Sequence, residues 1–396
     1  MSLDDQFTFP FGDYEADLSP VCERLVREEP VVRVRRPDGD TAWLVTGYEE
    51  AKQALSDPRL NLLEVSTPGS RRLESTEVGP FEVDLMEVVQ GTSLRKRIAQ
   101  SLTPKAAETY ERRLEPRIAD LIDALVAAGP PAELLHGLYA PITAEFVSEW
   151  LGVDPADARR LHDQAHVAIN FDTHSDDELD SVFATADAFF QDLIASKRST
   201  PDGRLFSDLV ADNDAEGSFS DEEMAKLGFS LLTNGYDTPL NAVVLLTIRL
   251  FAEPSAFGHL RQNPDELPDV LEEMMRRTPL GPSGVTVQRV ATEDVVLHEK
   301  LIRPGELVLI ATDVANRDPR VFAPSCPARN PDQAQLWFGH GRLSCPGRAI
   351  ARMLLEMVLH HLLRRIPAIE PAKPLDSLPW RRGLLLRGVG ELPVTW

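Results

Sequence analysis

Phe338-Gly339-His340-Gly341-Arg342-Leu343-Ser344-Cys345-Pro346-Gly347 sets three glycines and a cysteine directly ahead of a run, ending near Arg365, whose apolar spacing reads as a helix. A thiol at a helix N-terminus meets unpaired backbone N–H groups and the positive end of the helix dipole, and both favour the thiolate. Pro346 suits the first helical position and removes one N–H that would otherwise bond to the sulfur. The glycines let the backbone lie close to a flat group. A thiolate so placed is the electron-donating ligand that a haem iron takes. The other reading is a buried structural cysteine in a glycine-rich turn. The chain has two further cysteines, Cys22 and Cys326, with no CxxC spacing. Neither a disulfide framework nor a cysteine-ligated iron–sulfur cluster is expected.

Outward from this segment the chain reads as mainly helical with small β-sheets. Near the N-terminus, PVVRVRRPDGDTAWLV places two β-branched runs around Pro37-Asp38-Gly39, a hairpin pattern, and Tyr48 to Leu55 reads as a helix. From Leu94 to Thr200 the apolar residues recur at three and four, which predicts a succession of amphipathic helices. Ser220-Asp221-Glu222-Glu223 is a capping box, opening a helix that runs to about Ala252, just before Pro254. Another helix, Leu267 to Arg277, stops at Pro279. After it the runs VQRVATEDVVL and LVLIATDV, and later the tail from Trp380, read as short strands. With no internal repeat or linker, residues 1–396 are expected to form a single domain.

Composition narrows the function classes. A formal charge of −22 repels phosphate backbones and anionic lipid, and no Lys/Arg-rich run is present, so neither nucleic acid nor membrane is an expected partner. The acidic N-terminus lacks an apolar leader region, and the most apolar helical stretch, Ala242 to Ala252, is interrupted by Arg249. A cytoplasmic protein is expected.

FGHGRLSCPGRAIAR resembles the haem-binding loop of the cytochrome P450 family, with Phe338, Gly339, Gly341, Cys345, Gly347, Ala351 and Arg352 on the motif. Leu343 stands where a His or Arg usually bonds a haem propionate. The resemblance covers nearly the whole chain. It implies the P450 fold, a helical domain with β-rich N-terminal and C-terminal parts, carrying haem b (Fe-protoporphyrin IX) on the Cys345 thiolate. Glu273 and Arg276 match the family's Glu-x-x-Arg helix; as neighbours of Leu271, Met274 and Met275 they are expected to be a buried structural pair. The resemblance completes that pair with a further Arg, for which Arg329 is the nearest candidate. Arg289, in VQRVATEDV, and Arg95, in GTSLRKRIAQSLTPK, match the family's propionate-binding arginines, and Gly91 stands where a His is common. The alternative for both arginines is a solvated surface role.

The long helix contains LLTNGYDTPLN, Leu231 to Asn241, whose Gly and Pro cost roughly 1 and 3 kcal/mol relative to Ala inside a helix. Asn234-Gly235-Tyr236-Asp237-Thr238 resembles the family's Ala-Gly-x-Asp/Glu-Thr segment on the oxygen-binding side of the haem. On that resemblance Gly235 lets the backbone approach the porphyrin, Asp237 relays protons, and Thr238 either donates to the Asn234 carbonyl or leaves that carbonyl to water and dioxygen. Pro239 lacks the N–H that would bond Gly235 C=O. Asn234, where Ala is common, is either a catalytic amide or a helix-facing polar residue.

Substrate access is expected from Asn61 to Gln90, Ala165 to Leu179, Leu280 to Val287 and Leu384 to Arg387, mostly apolar with scattered polar groups. The segments TAWLVTGYEEAKQAL, TSLRKRIAQSLTPKAAE, GELVLIATDVANRDP and DSLPWRRGLLL look most like bacterial relatives that oxidise cyclodipeptides, some by radical coupling. That resemblance implies an aromatic cyclodipeptide (diketopiperazine) as the small-molecule substrate. Hydroxylation of another natural product, or a haem-free helper subunit, are the alternatives. No nucleotide-binding G-x-G-x-x-G is present, so electrons are expected from a separate ferredoxin and ferredoxin reductase. Lys96, Arg97, Arg112, Arg113, Arg342, Arg348 and Arg352 would supply a basic docking patch, or else a solvated surface.

Overall fold

The computed structural model describes residues 7–9, 11, 17–36, 39–61, 88–168, 176–281, 287–322, 334–341, 344–381 and 386–396. Within them the early elements are α1 (Pro20–Glu28), β1 (Val31–Arg35), β2 (Thr41–Val45), α2 (Tyr48–Ser56) and β3 (Leu60–Asn61). Next come α3 (Ser93–Ser101), α4 (Pro104–Ala128), β4 (Ala132–Glu133), α5 (Ala140–Leu151), which continues a π-helical turn over Leu135–Tyr139, α6 (Pro155–Ala168), α7 (Asp176–Ser199) and α8 (Leu205–Glu216). Then follow α9 (Asp221–Ala252), α10 (Pro254–Gln262), α11 (Leu267–Arg277), β5 (Val287–Ala291), β6 (Val295–Leu297), β7 (Lys300–Ile302), β8 (Leu307–Ile310) and α12 (Thr312–Ala315). The chain closes with α13 (Arg348–Arg365), β9 (Glu370–Pro371) and β10 (Pro393–Thr395). The expected class, mainly helical with small sheets, is the one observed. Two local expectations change. Thr312-Asp313-Val314 is a helical turn rather than the end of a strand, and α13 begins at Arg348, so Pro346 lies ahead of the Gly347 N-cap rather than at the first helical position.

The chain divides into two compact units, one of residues 1–84, 268–345 and 385–387, the other of 85–267, 346–384 and 388–396. The first is organised by a five-stranded sheet in the order β1-β2-β8-β5-β3. β1 and β2 form the expected antiparallel hairpin, while β2 pairs with β8 in parallel, Trp43 opposite Val308. Period-two alternation decides which side chain goes where. Val31, Trp43, Val45, Val308 and Ile310 pack with Tyr48, Ala51 and Leu55 of α2, whereas Val32, Val34, Leu44, Leu307 and Leu309 pack with Cys22, Leu25 and Val26 of α1. A sheet covered on both faces explains strands that read as nearly unbroken apolar runs.

The second unit is helical. Its axis is α9, opened by the capping box: Ser220 accepts the Glu223 N–H, and Glu223 accepts the Ser220 N–H at 2.8 Å. Residues on almost every side of α9 are buried, which matches a helix packed by α5, α6, α7 and α13 all round. α13 also lies along α4, and β4, β10 and β9 make a small antiparallel sheet. Among the described residues no single helix is long and apolar enough to cross a membrane.

Candidate functional site

In the first unit the cysteine loop is held by its own backbone. The Cys345 N–H donates to the Phe338 carbonyl at 2.7 Å, and Ser344 N–H to Gly341 C=O at 3.2 Å, closing the segment on itself. Gly339 and Gly341 take φ of 70° and 71°, the left-handed region that favours glycine. A Cβ on Gly341 would also sit 3.0 Å from Ser56 Oγ, so space and backbone both exclude a larger residue there. Upstream, Leu336 N–H donates to Asn316 Oδ1 at 2.6 Å, and Gly339 N–H to Leu336 C=O at 2.9 Å. Cys345 is half-buried and forms no disulfide. Arg342 and Leu343 lie outside the described residues, as do Cys326 and Arg329.

Glu273 and Arg276 meet one helical turn apart, as their spacing predicts. Arg276 donates from Nε at 2.7 Å and from Nη2 at 2.5 Å to the two Glu273 oxygens. Its side chain is 8% exposed against 31% for Glu273, and its guanidinium lies 4.7 Å from the Phe322 ring centroid. The third donor direction goes to the Asn316 carbonyl at 2.5 Å. Asn316 therefore ties α11 and the segment before the cysteine loop together through its backbone and side-chain oxygens. Arg289, on β5, is buried, which removes the solvated alternative for it; its Nη1 donates to Gln288 C=O at 2.7 Å.

In the second unit the stretch around Asp237 is where a buried helix opens. Thr233, Asn234, Thr238 and Pro239 are exposed or half-exposed, while Leu231, Leu232, Gly235, Tyr236, Asp237 and Leu240 are buried. Asn234 and Thr238 are four apart and share that face. Gly235 does not. A Cβ there would fall 2.7 Å from the Trp150 ring, so this glycine makes room for an indole of α5 rather than for a flat cofactor. Thr233 and Thr247, also on α9, donate their hydroxyls to the carbonyls four residues back, at 3.1 and 2.7 Å. Thr238 makes no such bond to Asn234 C=O; Asn234 itself donates to Ser230 C=O at 2.8 Å.

Asp237 has partners that sequence reasoning missed. Asn241 Nδ2 donates to its Oδ1 at 2.8 Å, and His162 Nε2, from α6, lies 3.1 Å from the same oxygen. The His162 ring stacks on Tyr236, centroids 4.2 Å apart. Only Asn241, one turn beyond Asp237, carried a signal in its spacing. Arg95 is half-exposed on α3, with Nη1 3.4 Å from Gln90 Oε1, and Gly91 before it takes φ of 84°, where a histidine would be strained. The expected access segments fall largely on residues 62–87, 169–175, 282–286 and 382–385, outside the described ones.

Among the described residues no group of three or more His, Cys, Asp or Glu side chains is placed to hold a metal ion. A single presented thiol fits only a metal that arrives already enclosed by other ligands, as iron does in a macrocycle. The buried Arg289 adds a fixed cation of the kind that carboxylates of such a group require. These observations point to the class of haem-thiolate proteins. Residues 156–388 match the cytochrome P450 family, and the chain belongs to it. It is 34% identical to the nocardicin C N-oxygenase of Nocardia uniformis subsp. tsuyamanensis across the full length of both chains. A putative thioether synthase of the griseoviridin tailoring step superposes with a TM-score of 0.89 at 30% identity, covering 98% of this chain and 99% of that one. A cytochrome P450 with biaryl coupling reactivity gives 0.85 at 30% identity, with 98% and 99% covered. The protein is an oxidoreductase, a P450 monooxygenase of the bacterial secondary-metabolism type, and the family carries haem b on an axial cysteine thiolate.

Proposed function

We propose that residues 1–396 act as one P450 domain in which Cys345 is the axial ligand and Arg95 and Arg289 balance the propionates. Phe338, Gly339, Gly341 and Gly347 shape the loop, while Asp237 and Thr238 pass on the protons that dioxygen cleavage consumes. Asn234 presents its amide on the same face as Thr238. The observation that carries the reading is Thr238. In a helix whose other threonines spend their hydroxyls on the preceding turn, this one is left able to donate, beside a buried acid. When bound, the haem supplies two-electron activation of dioxygen, with electrons from a ferredoxin and its reductase. The test is a reduced carbon-monoxide difference spectrum. Wild type should show the thiolate-type Soret band and Cys345→Ser should lose it; a variant that keeps the band has another ligand.

For the substrate we propose an aromatic cyclodipeptide, on the likeness of Thr41–Leu55, Thr92–Glu108, Gly305–Pro319 and Asp376–Leu386 to enzymes of that branch. The relatives' range, from N-oxygenation to thioether formation and biaryl coupling, supports a frame that joins substrate radicals as readily as it inserts oxygen. The N-oxygenase likeness keeps oxygen insertion into another natural product as the second reading. Optical titration with tryptophan- and tyrosine-containing cyclodipeptides separates them. A high-spin shift with at least one compound is expected, and no shift across the panel removes the cyclodipeptide assignment.

A further inference from the structure

A buried carboxylate can deliver protons through many turnovers only if something refills it. Asp237 is 8% exposed, so bulk water does not reach it freely. The ring of His162 lies between it and the surface. His162 Nε2 is 3.1 Å from Asp237 Oδ1, and Nδ1 is 3.5 Å from Asp163 Oδ1. The His162 side chain is 5% exposed, whereas that of Asp163 is 68% exposed. The arrangement runs from solvent, through one imidazole, to the acid assigned to proton delivery.

We infer that His162 is a proton relay that connects solvent at Asp163 to the buried carboxylate of Asp237. The inference rests on the reading of Asp237 given above. One proton enters at Nδ1 and one leaves from Nε2 to Asp237, with no change in electron count. The ring, left with its remaining proton on Nδ1, regains its starting tautomer by exchange with water, Nε2 taking up a proton as Nδ1 releases one. Burial opposes the charged ring, but the 3.1 Å contact with Asp237 and the charges of Asp237 and Asp163 outweigh it and raise its pKa. Both effects favour the protonated ring. The other charged groups acting on this chain of residues are Arg159 on α6, His136 on the π-helical turn and Arg381 near the C-terminus. Asn241 fixes Asp237 from its own helix, and Tyr236 holds the ring plane.

A packing role for His162 makes different predictions from a relay. His162→Gln keeps an N–H donor toward Asp237 but cannot accept and pass a proton. In the haem-loaded enzyme, supplied with NADPH through a surrogate ferredoxin and reductase, this variant should consume dioxygen about 10-fold more slowly or worse, less than the roughly 100-fold or more that a group transferring the proton directly contributes. The solvent isotope effect should rise, with an unchanged carbon-monoxide spectrum and melting temperature. A second measurement does not depend on turnover or on that variant folding. In the diamagnetic reduced carbon-monoxide form, the 13Cε1 resonance of His162 should titrate above the ordinary histidine range, and the surface variant Asp163→Asn should lower its midpoint. Asp237→Asn separates the two claims. If Asp237→Asn slows dioxygen consumption and His162→Gln leaves it at the wild-type rate and isotope effect, the relay is wrong and the proton-delivery reading stands. If Asp237→Asn is itself like wild type, the proton-delivery reading fails as well.

Discussion

Asp313 is the side chain whose burial asks most of its surroundings. It is 2% exposed; its Oδ2 accepts the Leu280 and Gly281 N–H groups at 2.8 and 3.0 Å, and Arg387 Nε donates to the Gly281 carbonyl at 3.0 Å. Burial pushes its carboxyl up to about 6, against the pull of those N–H bonds and of Arg387 and Arg317. The unfolded carboxyl ionises near 3.8, so between that pH and about 6 the unfolded chain has released a proton that the folded one keeps. Asp313 therefore contributes stability that is complete below pH 3.8 and lost as pH rises through 6, about 3 kcal/mol for a shift of about two units. Asp313→Asn keeps an acceptor for both N–H groups and removes the charge. In urea melts it should be more stable than wild type at pH 8, and the difference should shrink as pH falls below 6. A difference constant with pH would mean that the carboxyl stays ionised. At this scale the sequence shows its motif residues and little else. Cys345, Glu273 and Asp237 stand in recognisable spacings, but His162 reaches Asp237 across 75 positions. A histidine in an amphipathic helix carries no periodic signal of such a partner.

Among the elements, α9 shows how tertiary packing overrides local preference. Its start at the capping box and its end before Pro254 follow from local rules, so both were legible. The single helix read through Pro239 is the one observed, 32 residues long, but why it survives there was not legible, because the deficit at one turn is outweighed by apolar burial on either side that only the fold supplies. The role of Gly235 was misread for the same reason: only the fold shows that Trp150 occupies its side of the helix. Two glycine variants test this directly. Gly235→Ala gains about 1 kcal/mol of helix propensity but forces its methyl to 2.7 Å from a buried indole, so it should lower stability by a net 1–3 kcal/mol, roughly the cost of overpacking a core. Gly258, inside α10, has nothing within 4 Å of an added Cβ. Gly258→Ala should therefore raise stability by up to about 1 kcal/mol. Equal effects in denaturant melts would show that propensity, rather than the Trp150 contact, governs position 235.

For the molecule as a whole, patterning was readable and pairing was not. Alternation announced the strands and the 3.6 period the helices, whereas the parallel pairing of β2 with β8 joins segments with no local sign of each other. Charge, too, has to be reweighed in three dimensions. Of the seven basic residues expected to guide an acidic ferredoxin, Arg97 is paired with Asp212 and Asp208, and Arg113 with Glu149. Arg342 lies outside the described residues and Arg352 is half-buried, while Lys96, Arg112 and Arg348 remain exposed. A chain of net charge −22 repels an acidic partner at long range, whatever three cations do at contact. Salt separates these effects because the screening length falls from about 30 Å at 0.01 M to about 10 Å at 0.1 M. The long-range repulsion is lost first and the short-range attraction later. The rate of reduction by an acidic ferredoxin should therefore rise with salt, pass through a maximum near about 0.1 M and then fall. Replacing Lys96, Arg112 and Arg348 together by Glu should abolish the falling limb, leaving a rate that only rises with salt. If wild type already behaves that way in stopped-flow reduction, these three side chains do not form the docking face.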